Sequence, residues 1–456
     1  MKSKGSISIA FLAGIIFTLC LKELHKLQVF QELFQRKKTH LRFFFPFNYN
    51  INRLKPKSKT IFSEQLVNVK STTPKIPEGI EGIIGDTPIF KIKSLSEATG
   101  CLIFAKAEFL NGAGGSPKDR VALNIIRTAE AQGFLSPGRG DTIYEGTVGS
   151  TGISLASLAR ALGYKAHICM PSDQSKEKED ILKCLGARVE RVTPAPITSD
   201  EHFVNLAKRR AIYHTQDNFE SRGFFADQFE NSANFNAHFS NTGPEIWNQT
   251  GGHIDAFVTG AGTGGTISGV ALYLKQKMGL GKNLRVVLAD PEGSGLHNKV
   301  KYGVMFSNSE KEGTRRRNQV DTIVEGVGIN RLTNNFEAGM ELIDDSVKVS
   351  DLQAMKMAKW LVENDGIFVG SSSALNCVAA VVVALKMPKN SRIVTILCDN
   401  GTRHLSKFWK KIAELEPDVG LEGTDLFNIL GIKDNIDKRE TFDAIDIKSN
   451  SFCCGQ

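Results

Sequence analysis

Residues 113–121, Ala113-Gly-Gly-Ser-Pro-Lys-Asp-Arg-Val121, set one lysine, Lys118, between a run of small residues and an apolar, helix-like run, Val121-Ala-Leu-Asn-Ile-Ile126. Such a turn presents backbone N–H groups and one amine at the start of a helix. An amine whose pKa is lowered can form a Schiff base with a carbonyl. Alone, the turn is as readily a surface lysine after a glycine bend. A second run, Gly262-Thr-Gly-Gly-Thr266, follows the apolar strand candidate Ala256–Thr259 and opens a helical stretch, Ile267–Lys275. Its free N–H groups, helix dipole and two hydroxyls suit a phosphate. A dinucleotide loop would need an acid about twenty residues on, at the end of the next strand; Asp290 lies too far along, so a monophosphate fits better. A third run, Thr147-Val-Gly-Ser-Thr-Gly152, also heads a helix and suits a carboxylate.

These stretches do not stand alone. Gly85-Asp-Thr-Pro88 and Ala105-Lys-Ala-Glu-Phe-Leu-Asn111 precede the Lys118 turn; Glu145-Gly-Thr-Val-Gly-Ser-Thr-Gly152 and Gly260-Ala-Gly-Thr-Gly-Gly-Thr266 follow it. In type, order and spacing the set resembles the cysteine synthase / cystathionine β-synthase family of pyridoxal-phosphate (PLP) enzymes, over Gly79 to Trp409. The insert Lys301–Val320 and the ending Cys398-Asp-Asn-Gly-Thr-Arg-His-Leu-Ser-Lys-Phe-Trp409 look most like a fungal branch of second, mitochondrial cysteine synthases.

The resemblance implies an α/β fold of PLP fold type II (tryptophan synthase β-like), with two α/β domains, parallel-rich sheets and the cofactor between them. It implies Lys118 as the cofactor-binding and catalytic lysine, and a phosphate held by Gly262, Thr263, Gly264, Gly265 and Thr266. It implies a substrate carboxylate held by Thr147, Val148, Gly149, Thr151 and Gln228. Three positions depart from the family's pattern. Val148 stands for the usual serine, which removes a hydroxyl. Ser150 stands for the asparagine that bonds the cofactor's ring hydroxyl oxygen. Asn400 stands where a serine is expected beside the pyridine nitrogen. The implied reaction is β-replacement, with O-acetyl-L-serine and sulfide giving L-cysteine and acetate, in a homodimer without a metal. A cystathionine β-synthase-like or serine/threonine deaminase activity stays open. So does a membrane-tethered protein that keeps the fold without the reaction. Two further turns, Glu325-Gly-Val-Gly-Ile-Asn330 and Phe368-Val-Gly-Ser-Ser-Ser-Ala374, resemble family turns near the site. Lys106, Arg403 and His404 read as structural.

The elements that must position these residues alternate. Strand candidates are Leu102–Lys106, Thr142–Glu145, Ala166–Met170, Val189–Val192, Ala256–Thr259, Val286–Ala289 and Ile393–Leu397, with helical stretches such as Ser154–Leu162 and Lys176–Leu185 between them. Alternation of this kind gives parallel sheets covered on both faces. With the family's fold carried over, the expected large PLP-binding domain is 79–122 with 241–412, and the small mobile one is 123–240. Residues 413–456 form a tail with one short amphipathic helix, Leu421–Ile432.

The chain has 456 residues, 41% hydrophobic and 23% charged, and a net charge of +8. Residues 1–63 hold twelve Lys/Arg against Glu23 and Glu32, a net of +10, so the remainder carries about −2. That excludes a basic body for nucleic acid. None of the eight cysteines forms a CxxC pair, which favours free thiols over a zinc site or a disulfide framework. Ser6–Leu21 is an uncharged, apolar run of about 24 Å as a helix. With lysines on both sides it reads as a short anchor (residues 1–22) in the mitochondrial outer membrane. The heavier basic flank leaves the body facing the cytosol, behind a basic linker, 23–78.

Overall fold

A computed structural model describes residues 76–174, 176–305, 322–415 and 425–432. The anchor, nearly all of the linker, most of the insert and most of the tail lie outside them. Among the described residues, no helix is long and apolar enough to cross a membrane.

Among the described residues, ten strands form two sheets. The first holds β1 (Ile89–Lys91), β2 (Leu102–Ala107), β7 (Ala256–Gly260), β8 (Arg285–Pro291), β9 (Asp345–Val349) and β10 (Arg392–Leu397), in the order β1-β2-β10-β7-β8-β9. The second holds β3 (Thr142–Gly146), β4 (Lys165–Pro171), β5 (Arg188–Val192) and β6 (Gly223–Phe225), in the order β5-β4-β3-β6. β1 runs antiparallel to β2; every other pairing among the described residues is parallel. All strands of the second sheet fall within 123–240 and all of the first outside it.

All seven strand candidates are strands, extended by one to three residues. The additional strands β1, β6 and β9 have reasons to be inconspicuous. β1 and β6 are three residues long, and β9 (Asp-Ser-Val-Lys-Val) carries charge at a sheet edge. The central strands are apolar because both faces are covered. β7 and β10 pack under the helix Ser371–Leu385, whose residues Ser371 to Ala384 are all buried. A helix apolar on all sides belongs inside a core. The helix Asp351–Asp365 covers it and opens with a reciprocal cap, in which Ser350 accepts from the Gln353 N–H and Gln353 accepts from the Ser350 N–H.

Part of the expected tail belongs to this core. Within the expected helix Leu421–Ile432, Leu426–Leu430 is helical and Gly431 caps it, while 421–424 lie outside the described residues. Leu426, Phe427, Leu430 and Ile432 are buried with the main cluster, and Gln353 donates to the Leu430 carbonyl at 2.9 Å.

Candidate active site

Lys118 is the first residue of the helix Lys118–Ala131. What aims it is the next residue. The Asp119 carboxylate accepts the N–H groups of Gly114 (2.7 Å), Gly115 (2.8 Å) and Ala113 (3.2 Å), and the Ser154 hydroxyl at 2.6 Å. It folds the glycine turn back over the helix start and ties it to the helix Ser150–Ala161, which carries the carboxylate-type loop. A Cβ on Gly114 would stand 2.6 Å from Asp119 Oδ1, so only glycine lets the clamp close. Burial raises the Asp119 pKa, and the Ser154 and glycine donors counter it only in part. The lysine-containing motif drew attention away from Asp119, although an acid following the lysine of such a turn was legible as an N–H acceptor.

Lys118 borders a cleft of about 1000 Å³. Burial lowers its pKa against the opposing pull of Cys398, Asp399 and Glu108, which favours the free amine. Thr147, Val148, Gly149, Ser150, Thr151, Gln228 and Gly262 to Thr266 line the same cleft. The helix of the carboxylate-type loop begins at Ser150, four residues before the expected Ser154, so Ser150 and Thr151 lie in its first turn. The Thr151 hydroxyl donates to Gln228 Oε1. Asn234 joins both loops, donating to the Gln228 carbonyl (2.7 Å) and to Thr263 Oγ1 (2.8 Å).

The glycine-rich loop is a tight cradle. Gly264 has φ +84°, where a side chain is strained, and Cβ atoms on Gly262 and Gly265 would lie 2.2 Å from the Gly326 carbonyl oxygen and 1.9 Å from Asn234 Oδ1. Behind it Gly265–Ala271 continues through a π-helical turn, Leu272–Lys277.

Asn400 requires a correction. It is not on the cleft wall. Its Oδ1 accepts the Thr402 N–H at 2.9 Å, capping the 3-10 turn Gly401–His404, and its backbone is bridged to Val369. The residue after a strand end turns readily into such a cap, and that takes its amide away from the cleft. The small polar group on the wall is Ser372, 5% exposed, at the start of the helix Ser371–Leu385. It bonds the thiol of Cys398, which burial pushes up to about 12 and so keeps neutral beside Lys118. The signal for Ser372 was the glycine/serine turn Phe368–Ala374.

Lys106 is structural. It is fully buried in β2, with Nζ 2.5 Å from Glu245 and 3.0 Å from Gln249 Oε1. Arg403, His404 and Asp399, by contrast, all reach the cleft.

Glu145 is the penultimate residue of β3, just before the carboxylate-type loop, and is fully buried, with Oε1 lacking a partner among the described residues. Burial first, and then Asp227, push its pKa up to about 8. The folded state therefore holds this proton more tightly than the unfolded chain. The resulting stability is fully present below about 4.5 and is lost as pH rises to about 8. Glu145→Gln is expected to melt in urea like the parent near pH 5 and to be more stable by on the order of 2–4 kcal/mol at pH 9.

This arrangement meets its counterpart in known proteins. The chain belongs to the family of pyridoxal-phosphate dependent enzymes, whose model matches residues 80–399. Within that class it is similar to Cysteine synthase 2 of Neurospora crassa, 58% identical over 453 residues, covering 94% of this chain and 96% of that protein. It is also similar to Cysteine synthase 2 of Schizosaccharomyces pombe, 59% identical, covering 76% and 88%. A Saccharomyces cerevisiae relative, provisionally named as a mitochondrial cysteine synthase, is 55% identical over 76% of this chain and 88% of its own. Among solved structures, O-ureido-L-serine synthase matches with a TM-score of 0.64 and 29% identity, over 76% of this chain and 99% of that one.

The residues present fit the cofactor. A pKa-lowered amine, a glycine cradle at a helix start and a buried neutral hydroxyl, Ser372, share one cleft.

Proposed function

We propose that this protein is a cysteine synthase, converting O-acetyl-L-serine and sulfide to L-cysteine and acetate. The observation that carries the reading is the reactive amine of Lys118 in one cleft with a carboxylate-type loop and a phosphate-type cradle. Bound there, pyridoxal phosphate supplies an electron sink for charge at the amino acid's Cα.

The chain's own residues do the rest. Gly262 to Thr266 hold the phosphate, and Ser372, in place of Asn400, offers a neutral partner to the ring nitrogen. Ser150, on the cleft wall, would be the partner of the ring hydroxyl oxygen. Thr147, Gly149 and Thr151 hold the α-carboxylate with Gln228, whose Oε1 is already fixed by Thr151. Val148 adds no hydroxyl, so that grip rests on backbone N–H groups, the Thr147 hydroxyl and the Gln228 amide, which the Thr151 hydroxyl orients. Lys118 takes the Cα proton; acetate leaves Cβ with its electron pair, sulfide bonds to Cβ, and the proton returns to Cα. The 123–240 lobe closes over the substrate, which orients it and excludes water.

The full chain, given O-acetyl-L-serine and sulfide, should release cysteine and acetate in equal amounts. Turnover with L-serine and homocysteine but not with this pair would replace the reading by a cystathionine β-synthase-like one; keto-acid release from serine or threonine would make it a deaminase. Bound cofactor without turnover of any of these would leave a pseudoenzyme.

The protein acts at the mitochondrion, held in the outer membrane by residues 1–22 with its body toward the cytosol, and works as a homodimer. The name of the yeast relative and the charge-flanked run Ser6–Leu21 support this placement. Deletion of residues 1–21 is expected to move the protein from the membrane pellet to the supernatant, with activity kept within about twofold. Continued pelleting would locate the attachment elsewhere.

A further inference from the structure

An alternating chain of charges runs from the carboxylate-type loop to Lys118. Lys178, on the helix Lys176–Cys184, lies over Gly149, where a Cβ would stand 3.3 Å from its Cδ. Its Nζ is 2.8 Å from Glu325, across the cleft. Glu325 also meets Lys407 at 3.2 Å and faces His404 Nδ1 at 3.8 Å. On the other side of the ring, His404 Nε2 is 2.9 Å from Asp399 Oδ2. Asp399 and Lys118 line the same cleft, where the carboxylate's charge acts on the amine.

His404 and Asp399 are each only 6% exposed, and Asp399 Oδ1 has no hydrogen-bond partner among the described residues. The backbone makes room for the pair. A Cβ on Gly370 would stand 2.3 Å from Asp399 Oδ1 and 2.4 Å from His404 Nε2. A buried imidazole orients the carboxylate that its ring N–H meets, here Asp399 at 2.9 Å; Glu325, at 3.8 Å, lies beyond hydrogen-bond distance and within electrostatic reach.

We propose that His404 is a positioning residue that joins the carboxylate-holding loop to Lys118. Through its ring N–H it orients Asp399, which shares the cleft with the reactive amine, and it stands within electrostatic reach of Glu325, the partner of Lys178, so that closing the helix Lys176–Cys184 over a bound carboxylate fixes the surroundings of the amine. The inference rests on Lys118 being the reactive amine, not on which donor it serves.

The groups acting on Lys118 are Cys398, Asp399 and Glu108; those beside His404 are Asp399 and Glu325, the latter tied to Lys178 and Lys407. The test is therefore directional. In the full chain freed of cofactor, pH-dependent acetylation of Lys118, read by mass spectrometry, gives the pH of half-protonation. His404→Leu removes the donor from Asp399, so more of its charge falls on Lys118 and that pH should rise by at least 0.5 unit, about threefold in proton affinity. Asp399→Asn removes the charge and should lower it. His404→Gln keeps a donor and should restore most of the parent value.

In the cofactor-loaded chain, His404→Leu should lower kcat tenfold or more. Lys178→Met should raise the KM for O-acetylserine at least threefold in the parent and leave it unchanged in the His404→Leu or Asp399→Asn background. Should His404→Leu fail to fold, the Asp399→Asn shift and its loss of the Lys178 effect decide. Unmoved half-protonation, shifts of the same sign in His404→Leu and Asp399→Asn, or independent effects of Lys178 and His404 would overturn the inference. The expected shifts in a chain that makes no cysteine would overturn the proposed reaction and leave this role standing.

Discussion

Lys118→Ala is expected to lose the visible absorbance of the lysine-linked cofactor and to lower the rate of cysteine formation by at least 10³-fold. Loss of a positioned proton-transfer group alone costs about 10²–10⁴. In the proposed role the same amine also holds the cofactor, so both functions go together. Burial lowers its pKa, while Cys398, Asp399 and Glu108 raise it, with burial prevailing. At neutral pH more of it is free base than for an exposed lysine, and the cleft's other lysines among the described residues, Lys178 and Lys407, are paired with Glu325. Lys106 is occupied by Glu245 and Gln249 and fully buried. The glycine cradle is untouched by the substitution, so the variant should still bind the cofactor, without the covalent link, in equilibrium dialysis. A variant that kept the lysine-linked absorbance would remove Lys118 from its role.

Arg120→Met should cost roughly 3–5 kcal/mol of stability, the range for leaving a buried charge without its partner. Arg120 sits two residues after Lys118 and is nearly fully buried. Its Nε and Nη2 each donate to Glu108 at 2.8 Å, and Nη1 and Nη2 to Glu245 at 2.6 and 2.7 Å. Lys106 completes a set of two cations and two carboxylates. Methionine fills much of the space and removes one cation, so Glu108, fully enclosed, is left with Thr87 and Asn111 as its remaining donors.

The pH dependence follows from Glu108. Burial would raise its pKa, but Arg120, Thr87 and Lys106 outweigh it and hold the carboxyl below its usual 4.5. The parent therefore keeps this stabilisation above pH 4.5 and loses it as pH falls through the depressed value. In Arg120→Met burial prevails and the carboxyl takes up its proton earlier. Urea melts of the two proteins should differ most near pH 7 and converge in acid; a constant difference would show that lost packing, not charge, sets the cost.

The sequence by itself determined the chemistry-bearing loops and the sheet-forming core. Lys118, the Thr147–Thr151 loop and Gly262 to Thr266 are local turns whose residue types carry their own geometry: glycines where the backbone must approach a ligand, hydroxyls and an amine at helix starts. The buried parallel strands were legible because long apolar runs have one stable destination. β1 and β6 were not, since three residues carry no period.

Tertiary structure decided the rest, because each remaining role depends on which distant groups share a cleft. Asn400 and Ser372 lie 28 positions apart in sequence. Which of them faces the cleft turns on a cap that Asn400 makes with its own neighbour and on the helix that begins at Ser371. His404 read as structural while its partners were unknown. Only the fold sets Asp399 and Glu325 at its two nitrogens, and those partners give an imidazole its task. Likewise Arg120 is an ordinary helix arginine until the turn after β2 and the segment from Gly243 bring it two carboxylates, Glu108 and Glu245, because pairing between charges depends on proximity that one-dimensional spacing does not carry.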